Sequence, residues 1–433
     1  MIIFIMLRNM EETKSSASKY YMVIDLKSFY ASVECVARGL DPMTAKLVVA
    51  DPERKKGTIC LAVSPAMKAL GVKNRCRVYE IPPDIEYIIA MPRMQLYLDT
   101  SAEIYGIYLK YVSKDDIHVY SIDEAFLDVT SYLKLYQMTP HELALAIMDD
   151  IQATTGLRAT CGIGTNMYLA KIALDILAKH AKDYIAELDE ESYKKRLWNH
   201  KPLTDFWRVG PGIARRLNTM GLVTMEDVAK CPEKLLYNEF GSEAEYLIDH
   251  SKGIEPTTIY DIKHYRQKSH SLSRSQILPR DYDVQEAKLA LKEMVDLLCL
   301  DLVDAHVVTN NISLYIGYTK GTLPPVNSST KIDITTNSVR IIREAFVKKY
   351  DAIVAPGSKI RKIGISCGSL IDEAFEQYSF FVDPAELQKD RQISRSVNAI
   401  RGRFGKNAIL KGMNLEAAGT TIERNSQIGG HKA

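Results

Sequence analysis

Short apolar runs alternate with amphipathic segments over the first 180 residues of the chain. YYMVID (20–25) has the length and the apolar content of a buried strand. SFYASVECVARGL (28–40) shows the three- to four-residue apolar spacing of a helix, with Ser28 in the N-cap position. Similar patterns follow, including a helix predicted at NMYLAKIALDILAKH (166–180). We predict an α+β sheet domain with a small α/β insertion at 29–94.

The helix predicted at TPHELALAIMDDIQATTG (139–156) has clear signals at both ends. Thr139 and Glu142 have the spacing of a capping box, and Pro140 occupies the first helical position, where its missing N–H does no harm. Gly156 follows the last apolar residue of the pattern. Glycine is common directly after a helix, because it adopts the left-handed backbone conformation that ends the helix.

The pattern becomes helical with short breaks over residues 181–255. A Gly-Pro-Gly turn in this segment resembles a helix–hairpin–helix, whose backbone N–H groups at Gly210 and Gly212 could hold a phosphate. A simple helix–helix turn explains the same residues equally well. Residues 256–270 are polar and basic and predict a linker, and the strand and helix patterns over 271–383 predict a second, smaller α/β module.

Positive charge is concentrated after residue 260. If this stretch is a nucleic-acid surface, its candidate contacts are Lys263, Arg266, Lys268 and Arg274. The segment 384–433 is also basic and contains glycines, which favours a solvated arm over a specific contact with DNA or a regulatory partner.

The composition is that of a globular protein, with 46% hydrophobic and 25% charged residues. The net charge is only +2, so any nucleic-acid surface must be local. Seven cysteines are scattered without a CxxC or Cys/His cluster, which argues against a zinc site or a disulfide framework. The apolar start MIIFIML is too short for a membrane span, and we interpret residues 1–19 as an N-terminal extension of a cytoplasmic protein without membrane contact.

Two adjacent carboxylates, Asp123 and Glu124, interrupt the apolar run HVYSIDEAFLDVT (118–130). Because Asp and Glu are poor strand formers, the run predicts a β-hairpin with both acids at or near its turn. If these strands lie beside the strand that ends at Asp25, three carboxylates converge at one edge, where Mg²⁺ would balance their charge. From spacing alone, a solvated turn and an unrelated strand-end acid are the favoured explanation.

Lys68 and Lys171 each follow a predicted strand near the start of a helix, where phosphate sites often form. A single lysine in such a position is usually a surface residue. Phe29 and Tyr30 follow Asp25 by four and five residues, and an aromatic pair at a helix start is more often part of a core than of a site.

Several segments occur in the order, and at roughly the spacings, of the Y-family translesion DNA polymerases. They are DLKSFYASVE (25–34), SPAMKALGVK (64–73), YSIDEAFLDV (120–129), GIGTNMYLAKIALD (162–175) and VGPGIARRL (209–217). Over about residues 20–383 the chain resembles the UmuC-like branch of that family, of the ImpB/MucB/SamB type. The resemblance implies a low-fidelity, DNA-directed DNA polymerase that synthesises past damaged bases, using two Mg²⁺ ions to join a dNTP to a primer 3′-hydroxyl.

The resemblance also implies the architecture of a right-hand polymerase, with a palm, small fingers, a helical thumb and an α/β little finger. The corresponding segments are 20–28 and 95–180 for the palm, 29–94 for the fingers, 181–255 for the thumb, 256–270 for the linker, 271–383 for the little finger and 384–433 for a basic tail.

Roles for individual residues follow from the same resemblance. The residues that match the catalytic and metal-binding set are Asp25, Leu26 through its backbone carbonyl, Asp123 and Glu124. Tyr30, preceded by Phe29, matches the steric gate, an aromatic ring that excludes a ribose 2′-hydroxyl. Lys171 matches a palm lysine on the incoming triphosphate, and Lys68 stands where many relatives carry an arginine with the same role.

The chain departs from the family pattern at Pro65, where many relatives carry a tyrosine that contacts the triphosphate. Lys68 keeps the charge of the usual arginine but loses its bidentate fork. The residues that resemble a sliding-clamp docking peptide are Gln377, Tyr378, Phe380 and Phe381. Some systems of this branch also need a cleaved UmuD-like accessory protein.

Two other functions remain open at the level of sequence. One is a palm-like nucleotidyl cyclase, against which the thumb-like turn and the module beyond residue 260 argue. The other is a catalytically silent protein that binds DNA or a clamp, which the departure at Pro65 keeps open. A primer-extension assay with Mg²⁺ distinguishes a polymerase from a silent relative.

Overall fold

The structure, a computed structural model, describes residues 19–54, 57–265, 271–375 and 383–432. It divides into two compact units, of which the first ends at Tyr265 and the second begins at Arg266. This boundary falls inside the predicted linker, but the linker also contains the helix Ile259–His264, which the prediction missed. Thr258 and Asp261 form a capping box at its start, and this local signal explains why the polar segment is helical.

The strands of the first unit are β1 (Tyr21–Leu26), β2 (Leu47–Val49), β3 (Ala62–Val63), β4 (Ile88–Ala90), β5 (Ile117–Val119), β6 (Glu124–Asp128), β7 (Ala159–Gly164) and β8 (Ile185–Leu188). Its main sheet has the order β5-β6-β1-β7-β8, in which β7 and β8 are parallel and the other neighbours antiparallel. Strands β3, β2 and β4 form a separate sheet inside the predicted insertion at 29–94.

The helices of the first unit are α1 (Phe29–Val36), α2 (Pro65–Ala69), α3 (Met94–Tyr111), α4 (Thr130–Tyr136), α5 (Pro140–Thr155), α6 (Met167–Ile172), α7 (Glu190–Leu197), α8 (Pro211–Thr219), α9 (Met225–Lys230), α10 (Glu233–Phe240), α11 (Ala244–Lys252) and α12 (Ile259–His264). The capping box predicted for α5 is confirmed, as is the left-handed Gly156 after it. The cap predicted at Ser28 is wrong: its backbone is left-handed, at φ 49°, and its side chain makes no capping hydrogen bond.

Helix α6 lies against β7 at backbone contact distance. A Cβ on Gly162 would lie 2.1 Å from the carbonyl oxygen of Ala170, and one on Gly164 would lie 2.2 Å from the Ala170 nitrogen. A Cβ on Gly162 would also lie 2.4 Å from the backbone nitrogen of Leu174, so the chain follows the sheet closely over this stretch. The helix predicted at 166–180 is confirmed, but it is not uniform, because α6 continues into a π-helical turn (Ala173–Leu177) and a 3₁₀ turn (Ala178–His180).

Helices α7 to α11 enclose a separate apolar core, as the helical pattern over 181–255 predicts. Leu217, Met225 and Leu236 are buried in this core, which also takes in Tyr168 and Leu169 of α6. The lysine-bearing helix α6 is thereby packed between the sheet and the helical subdomain. Among the described helices, none has both the length and the apolar composition that crossing a bilayer requires.

The elements of the second unit are β9 (Ser271–Tyr282), α13 (Val284–Asp304), β10 (Val307–Tyr318), β11 (Val326–Thr336), α14 (Val339–Ile353), β12 (Ile360–Gly368), β13 (Ile371–Asp372), α15 (Pro384–Phe404), α16 (Thr421–Asn425), β14 (Gln427–Ile428) and β15 (His431–Lys432). The sheet has the order β11-β10-β12-β9, and its neighbours are antiparallel. Helices α13 and α14 pack on one of its faces around a shared core. The predicted α+β multidomain class is confirmed.

The C-terminal segment, predicted as a solvated arm, is folded onto α13. Glu293 of α13 is 1% exposed and accepts hydrogen bonds from Asn414 Nδ2 at 2.8 Å and from the Thr420 backbone nitrogen at 2.7 Å. Lys411 Nζ lies 2.6 Å from an Asp296 carboxylate oxygen, on the next turn of the same helix. The prediction of an arm is wrong because the polar residues of this segment satisfy buried carboxylates.

Candidate active site

Strands β1 and β6 bring the predicted carboxylates to one edge of the first unit's main sheet. Asp25 is the register partner of Glu124 across this antiparallel pair, so the two side chains point to the same face. Asp123 ends the turn before β6, and its carbonyl oxygen accepts a 3.0 Å hydrogen bond from the Leu26 N–H. The predicted hairpin is confirmed, with Asp123 in the turn and Glu124 as the first residue of the returning strand.

Two carboxylates at this edge, those of Asp25 and Glu124, have raised pKa values. Burial is the main reason that the pKa of Asp25 is raised to about 7, and the negative charges of Asp123 and Glu124 raise it further. Lys179 and Lys171 oppose the shift. Burial also raises the pKa of Glu124. Because a bound cation would remove this penalty, the edge has the electrostatic character of a cation site.

Lys171 is in direct contact with Glu124, and its side chain is only 8% exposed. Its Nζ donates a 2.9 Å hydrogen bond to Glu124 Oε2 and lies 3.0 Å from Asp175 Oδ2. Desolvation lowers the pKa of Lys171, but the two carboxylates outweigh it and the net shift is upward. The ammonium group is thus charged and engaged within the protein, and its predicted contact with a triphosphate stays a prediction.

Glu124 Oε1 has unused bonding capacity. Although Lys171 Nζ is 2.8 Å away, its hydrogen bond goes to Oε2, and Oε1 is buried without a hydrogen-bond partner among the described residues. Mg²⁺ prefers carboxylate oxygens and usually takes other ligands from water and substrate phosphates. Within the described ranges, no three His, Cys, Asp or Glu side chains are grouped closely enough to hold a metal ion, and this includes Asp25, Asp123 and Glu124.

Two more lysines lie within electrostatic range of this edge. Lys179 is 42% exposed, lies 2.9 Å from Asp175 Oδ1 and opposes the raised pKa of Asp25 more than any other charge. The pKa of Lys68 is lowered, first by desolvation, while Asp25 raises it and Lys179 lowers it. Sequence reasoning missed Lys179, although Lys171, Asp175 and Lys179 follow one another at four-residue spacing.

Pro65 has a structural explanation in α2. It is the first residue of the helix, after the N-cap Ser64, whose side chain accepts a hydrogen bond from the Met67 nitrogen at 3.4 Å. Proline suits this position because no intrahelical partner exists for its N–H. The departure from the family pattern therefore stabilises the helix that carries Lys68.

Tyr30 on α1 is partly exposed beside the carboxylate edge. Its pKa is raised by desolvation and by the charge of Asp123, against the effect of Arg75. Phe29 is 2% exposed and belongs to the core. Of the predicted aromatic pair, Tyr30 is thus the member with access to a ligand.

The predicted DNA contacts fall in different environments. Gly210 and Gly212 are exposed at the start of α8, with open space where a Cβ would stand. Lys263 donates a hydrogen bond to the carbonyl oxygen of Lys114. Arg274 points toward α13, where Asp301 accepts hydrogen bonds of 2.6 and 2.7 Å from its guanidinium, so this charge is engaged within the protein.

The remaining predicted contacts lie outside the described residues. They are Arg266 and Lys268 of the linker and Gln377, Tyr378, Phe380 and Phe381 of the clamp-like peptide.

Comparison with known families gives two matches along the chain. The sequence model of the impB/mucB/samB family matches residues 24–175, and that of the impB/mucB/samB family C-terminal domain matches residues 269–380. The first match contains the three carboxylates and the lysine of α6. The second match contains strands β9 to β13 and helices α13 and α14 of the second unit, and it ends before α15.

The chain is also similar to curated proteins over nearly its whole length. It is 34% identical to the UV-damage repair protein UvrX of Bacillus subtilis (strain 168), over 96% of this chain and 98% of the relative. It is 33% identical to DNA polymerase IV 2 of the same organism, over 95% of this chain and 98% of the relative.

The fold is similar to that of a solved Y-family DNA polymerase chimera, with a TM-score of 0.63 and 21% sequence identity. The similarity covers 82% of this chain and 99% of the chimera. The resemblance stated from the sequence motifs is thus confirmed: the chain belongs to the impB/mucB/samB family of Y-family DNA polymerases.

Proposed function

We propose that the protein is a DNA-directed DNA polymerase that synthesises past damaged bases with low fidelity. The observation that carries this proposal is the β1–β6 edge. There Asp25 faces Glu124 with Asp123 next to it, the pKa values of Asp25 and Glu124 are raised, and Glu124 Oε1 has no hydrogen-bond partner among the described residues. The names of relatives that align end to end, a repair protein and a DNA polymerase, support the same function. A DNA substrate also agrees with the predicted cytoplasmic location.

In the proposed reaction, the primer 3′-hydroxyl attacks the α-phosphate of a dNTP, a phosphodiester bond forms and pyrophosphate leaves. Asp25, Asp123, Glu124 and the carbonyl of Leu26 would hold two Mg²⁺ ions, which supply charge neutralisation and activation of the hydroxyl when bound. The unfilled Oε1 of Glu124 fits this role. Lys171 holds Glu124 in a fixed orientation through Oε2 and so positions the ligand oxygen.

Lys68 and Lys179 are better placed for the triphosphate than Lys171. Both are exposed, whereas Lys171 is enclosed by Glu124 and Asp175. A polyanion between these two lysines and the carboxylate edge would meet positive charge on its phosphates. We therefore assign the triphosphate to Lys68 and Lys179, and the positioning of Glu124 to Lys171.

The sheet of the second unit offers a surface for the DNA backbone. Ser329, Ser313, Ser366 and Ser273 are register partners across its strands, and all are partly or fully exposed. Serine hydroxyls donate hydrogen bonds to phosphate oxygens without reading sequence. Together with the exposed turn at Gly210 and Gly212, this row supports binding through phosphates, which weakens as salt increases.

Contacts with a sliding clamp and with a UmuD-like accessory protein remain proposals from the sequence alone. A binding assay with a purified clamp, using the chain with Phe380 and Phe381 replaced by alanine, tests the first.

The decisive test is the double variant Asp123→Ala, Glu124→Ala in a primer-extension assay with Mg²⁺. We expect extension to be lost and primer–template binding to be retained, because the acids act on the reaction and not on the DNA backbone. The matched control is Glu190→Ala, Glu191→Ala, which removes an adjacent pair of exposed acids from the start of α7. Retained extension in the first variant would contradict the site, and extension absent from the wild type would favour the silent alternative.

A further inference from the structure

The ring of Tyr30 rests on a second tyrosine. Tyr97 of α3 is fully buried, and its ring is stacked on Tyr30 with 4.6 Å between centroids and an interplanar angle of 24°. Stacked rings attract each other beyond the area that they bury, so the contact restricts the orientation of both. Tyr30 can therefore not rotate freely while Tyr97 stays in place.

Tyr97 is itself held by a buried carboxylate. Its hydroxyl donates a 2.8 Å hydrogen bond to Oε1 of Glu34, a side chain with no exposed surface. Arg93 donates to both oxygens of Glu34, at 3.0 and 2.7 Å, and Arg38 donates to Oε2. Burial raises the pKa of Glu34, but the hydrogen bonds from Arg93, Arg38 and Tyr97 outweigh it, so the carboxylate is charged. A buried carboxylate whose two oxygens are both engaged by guanidinium groups is held in a specific geometry, although Arg93 and Arg38 are themselves partly exposed.

The four side chains form two links between α1 and the start of α3. Tyr30 and Glu34 are one turn apart on α1 and so lie on the same helix face. Arg93 and Tyr97 are also one turn apart, with the Tyr97 nitrogen donating to the Arg93 carbonyl oxygen at 3.2 Å. One link is the aromatic stack and the other is the ion pair. Both links join the same two helices. Either one therefore restricts how the helices can move and helps to keep the other in place.

We propose that Tyr97 is a positioning residue for nucleotide selection: it sets the plane of the Tyr30 ring, and the Glu34–Arg93 pair fixes Tyr97. This inference rests on the proposed function, in which Tyr30 is the steric gate. A gate excludes a 2′-hydroxyl only while its ring cannot move aside. Tyr97 touches no substrate, so its effect on selection is transmitted through Tyr30.

The test compares insertion of a dNTP and of the matching rNTP by Tyr97→Leu, with kcat/KM measured for each nucleotide. We expect the preference for dNTP to fall about threefold to tenfold, the range that the loss of an aromatic pair predicts. Insertion of dNTP itself should change less than the preference. Tyr97→Phe keeps the stack and the packing volume, and we expect a smaller fall from the loss of its hydrogen bond to Glu34.

The control for stability is Tyr193→Leu, which removes another fully buried tyrosine whose hydroxyl donates to a backbone carbonyl oxygen. It should lower the melting temperature and leave the nucleotide preference unchanged. In a Tyr30→Ala background, Tyr97→Leu should have no further effect on the preference, because the gate is already absent.

Failure of the inference is distinguishable from failure of the gate assignment. If Tyr30→Ala lowers the preference but both Tyr97 variants leave it unchanged, the inference is overturned and the gate stands. If Tyr30→Ala leaves the preference unchanged, the gate assignment is wrong and the inference fails with it. Equal effects of Tyr97→Leu and Tyr193→Leu would also overturn the inference, since loss of stability alone would explain both.

Discussion

Two buried glutamates, one in each unit, have opposite surroundings. Glu293 on α13 is 1% exposed, and its oxygens accept hydrogen bonds from Asn414 and from the backbone and hydroxyl of Thr420. Glu124 on β6 is 8% exposed, and its described partner is Lys171, which donates a hydrogen bond to Oε2 and lies 2.8 Å from Oε1, an oxygen without a hydrogen-bond partner among the described residues. The first carboxylate is saturated by its own chain, and the second is not.

This difference in hydrogen bonding distinguishes an acid that stabilises the fold, Glu293, from an acid available to a ligand, Glu124. A buried carboxylate with all its hydrogen bonds made ties distant segments together, as Glu293 ties the C-terminal segment to α13. A buried carboxylate with an open oxygen costs stability, and it is retained where a ligand supplies the missing contact. Substitutions at the two positions should therefore affect different properties.

The largest expected effect is on the reaction, in Glu124→Gln. We expect kcat for primer extension to fall about 100-fold or more. The variant loses several kcal/mol of charge stabilisation in the transition state, and each loss of about 1.4 kcal/mol lowers the rate tenfold. Stability should fall only modestly, because the amide keeps the shape of the side chain and Asp175 remains as an ion-pair partner of Lys171. Glu293→Gln is the matched control, and a comparable loss of kcat there would remove the distinction between the two acids.

The next effect is on stability, in Glu293→Ala. Because several buried donors lose their acceptor, we expect the free energy of unfolding to fall by about 3 kcal/mol. The C-terminal segment should become sensitive to limited proteolysis, while single-nucleotide insertion by folded protein persists. A melting temperature equal to that of the wild type would contradict the structural role.

A smaller effect, a gain in the free energy of unfolding, is expected for Asp25→Asn in the absence of divalent cations. The pKa of Asp25 is raised in the folded protein from 3.8 to about 7, so the folded state binds more protons within that pH window. The wild type therefore loses stability as pH rises from 3.8 to about 7, and the loss persists above it.

The Asp25→Asn variant lacks this loss, and at neutral pH it should be more stable than the wild type by about 1–3 kcal/mol, allowing for partial solvent access. Urea unfolding with EDTA, at acidic and at neutral pH, measures the difference. A variant less stable than the wild type at neutral pH would contradict the raised pKa.

The smallest effect is expected on the KM for dNTP, from the exposed Lys179, whose charge acts on Asp25. Lys179→Ala should raise KM for dNTP about tenfold, as expected for one charge-assisted contact with a phosphate. The exposed Lys182 is the control, and Lys182→Ala should leave KM unchanged. Equal KM values for Lys179→Ala and the wild type would return the triphosphate assignment to Lys68 and Lys171.

Local patterns predicted the parts of the site that lie close together in sequence. The hairpin at Asp123 and Glu124 and the helix start after Gly210 follow from strand breakers and turn residues a few positions apart. The contacts that escaped prediction join distant residues. Tyr97 and Glu34 are 63 positions apart, and Thr420 and Glu293 are 127 apart, so no short motif connects them.

The basic composition of residues 384–433 was misleading for the same reason. Charge content distinguishes a solvated arm from a packed segment only if the buried partners of the charged and polar residues are known. Here the partners are Asp296, 115 positions before Lys411, and Glu293, 127 positions before Thr420.

The glycines of β7 have a consequence for how the enzyme tolerates change. There is no room for a Cβ at Gly162 or Gly164, because the backbone of α6, the helix that carries Lys171, lies directly against the backbone of β7. A methyl group at Gly164 would displace α6 and, with it, Lys171 from Glu124, and shifts of about 1 Å can cost a hundredfold in rate. Mutational damage to this polymerase can therefore arise from a residue that has no side chain and touches no substrate.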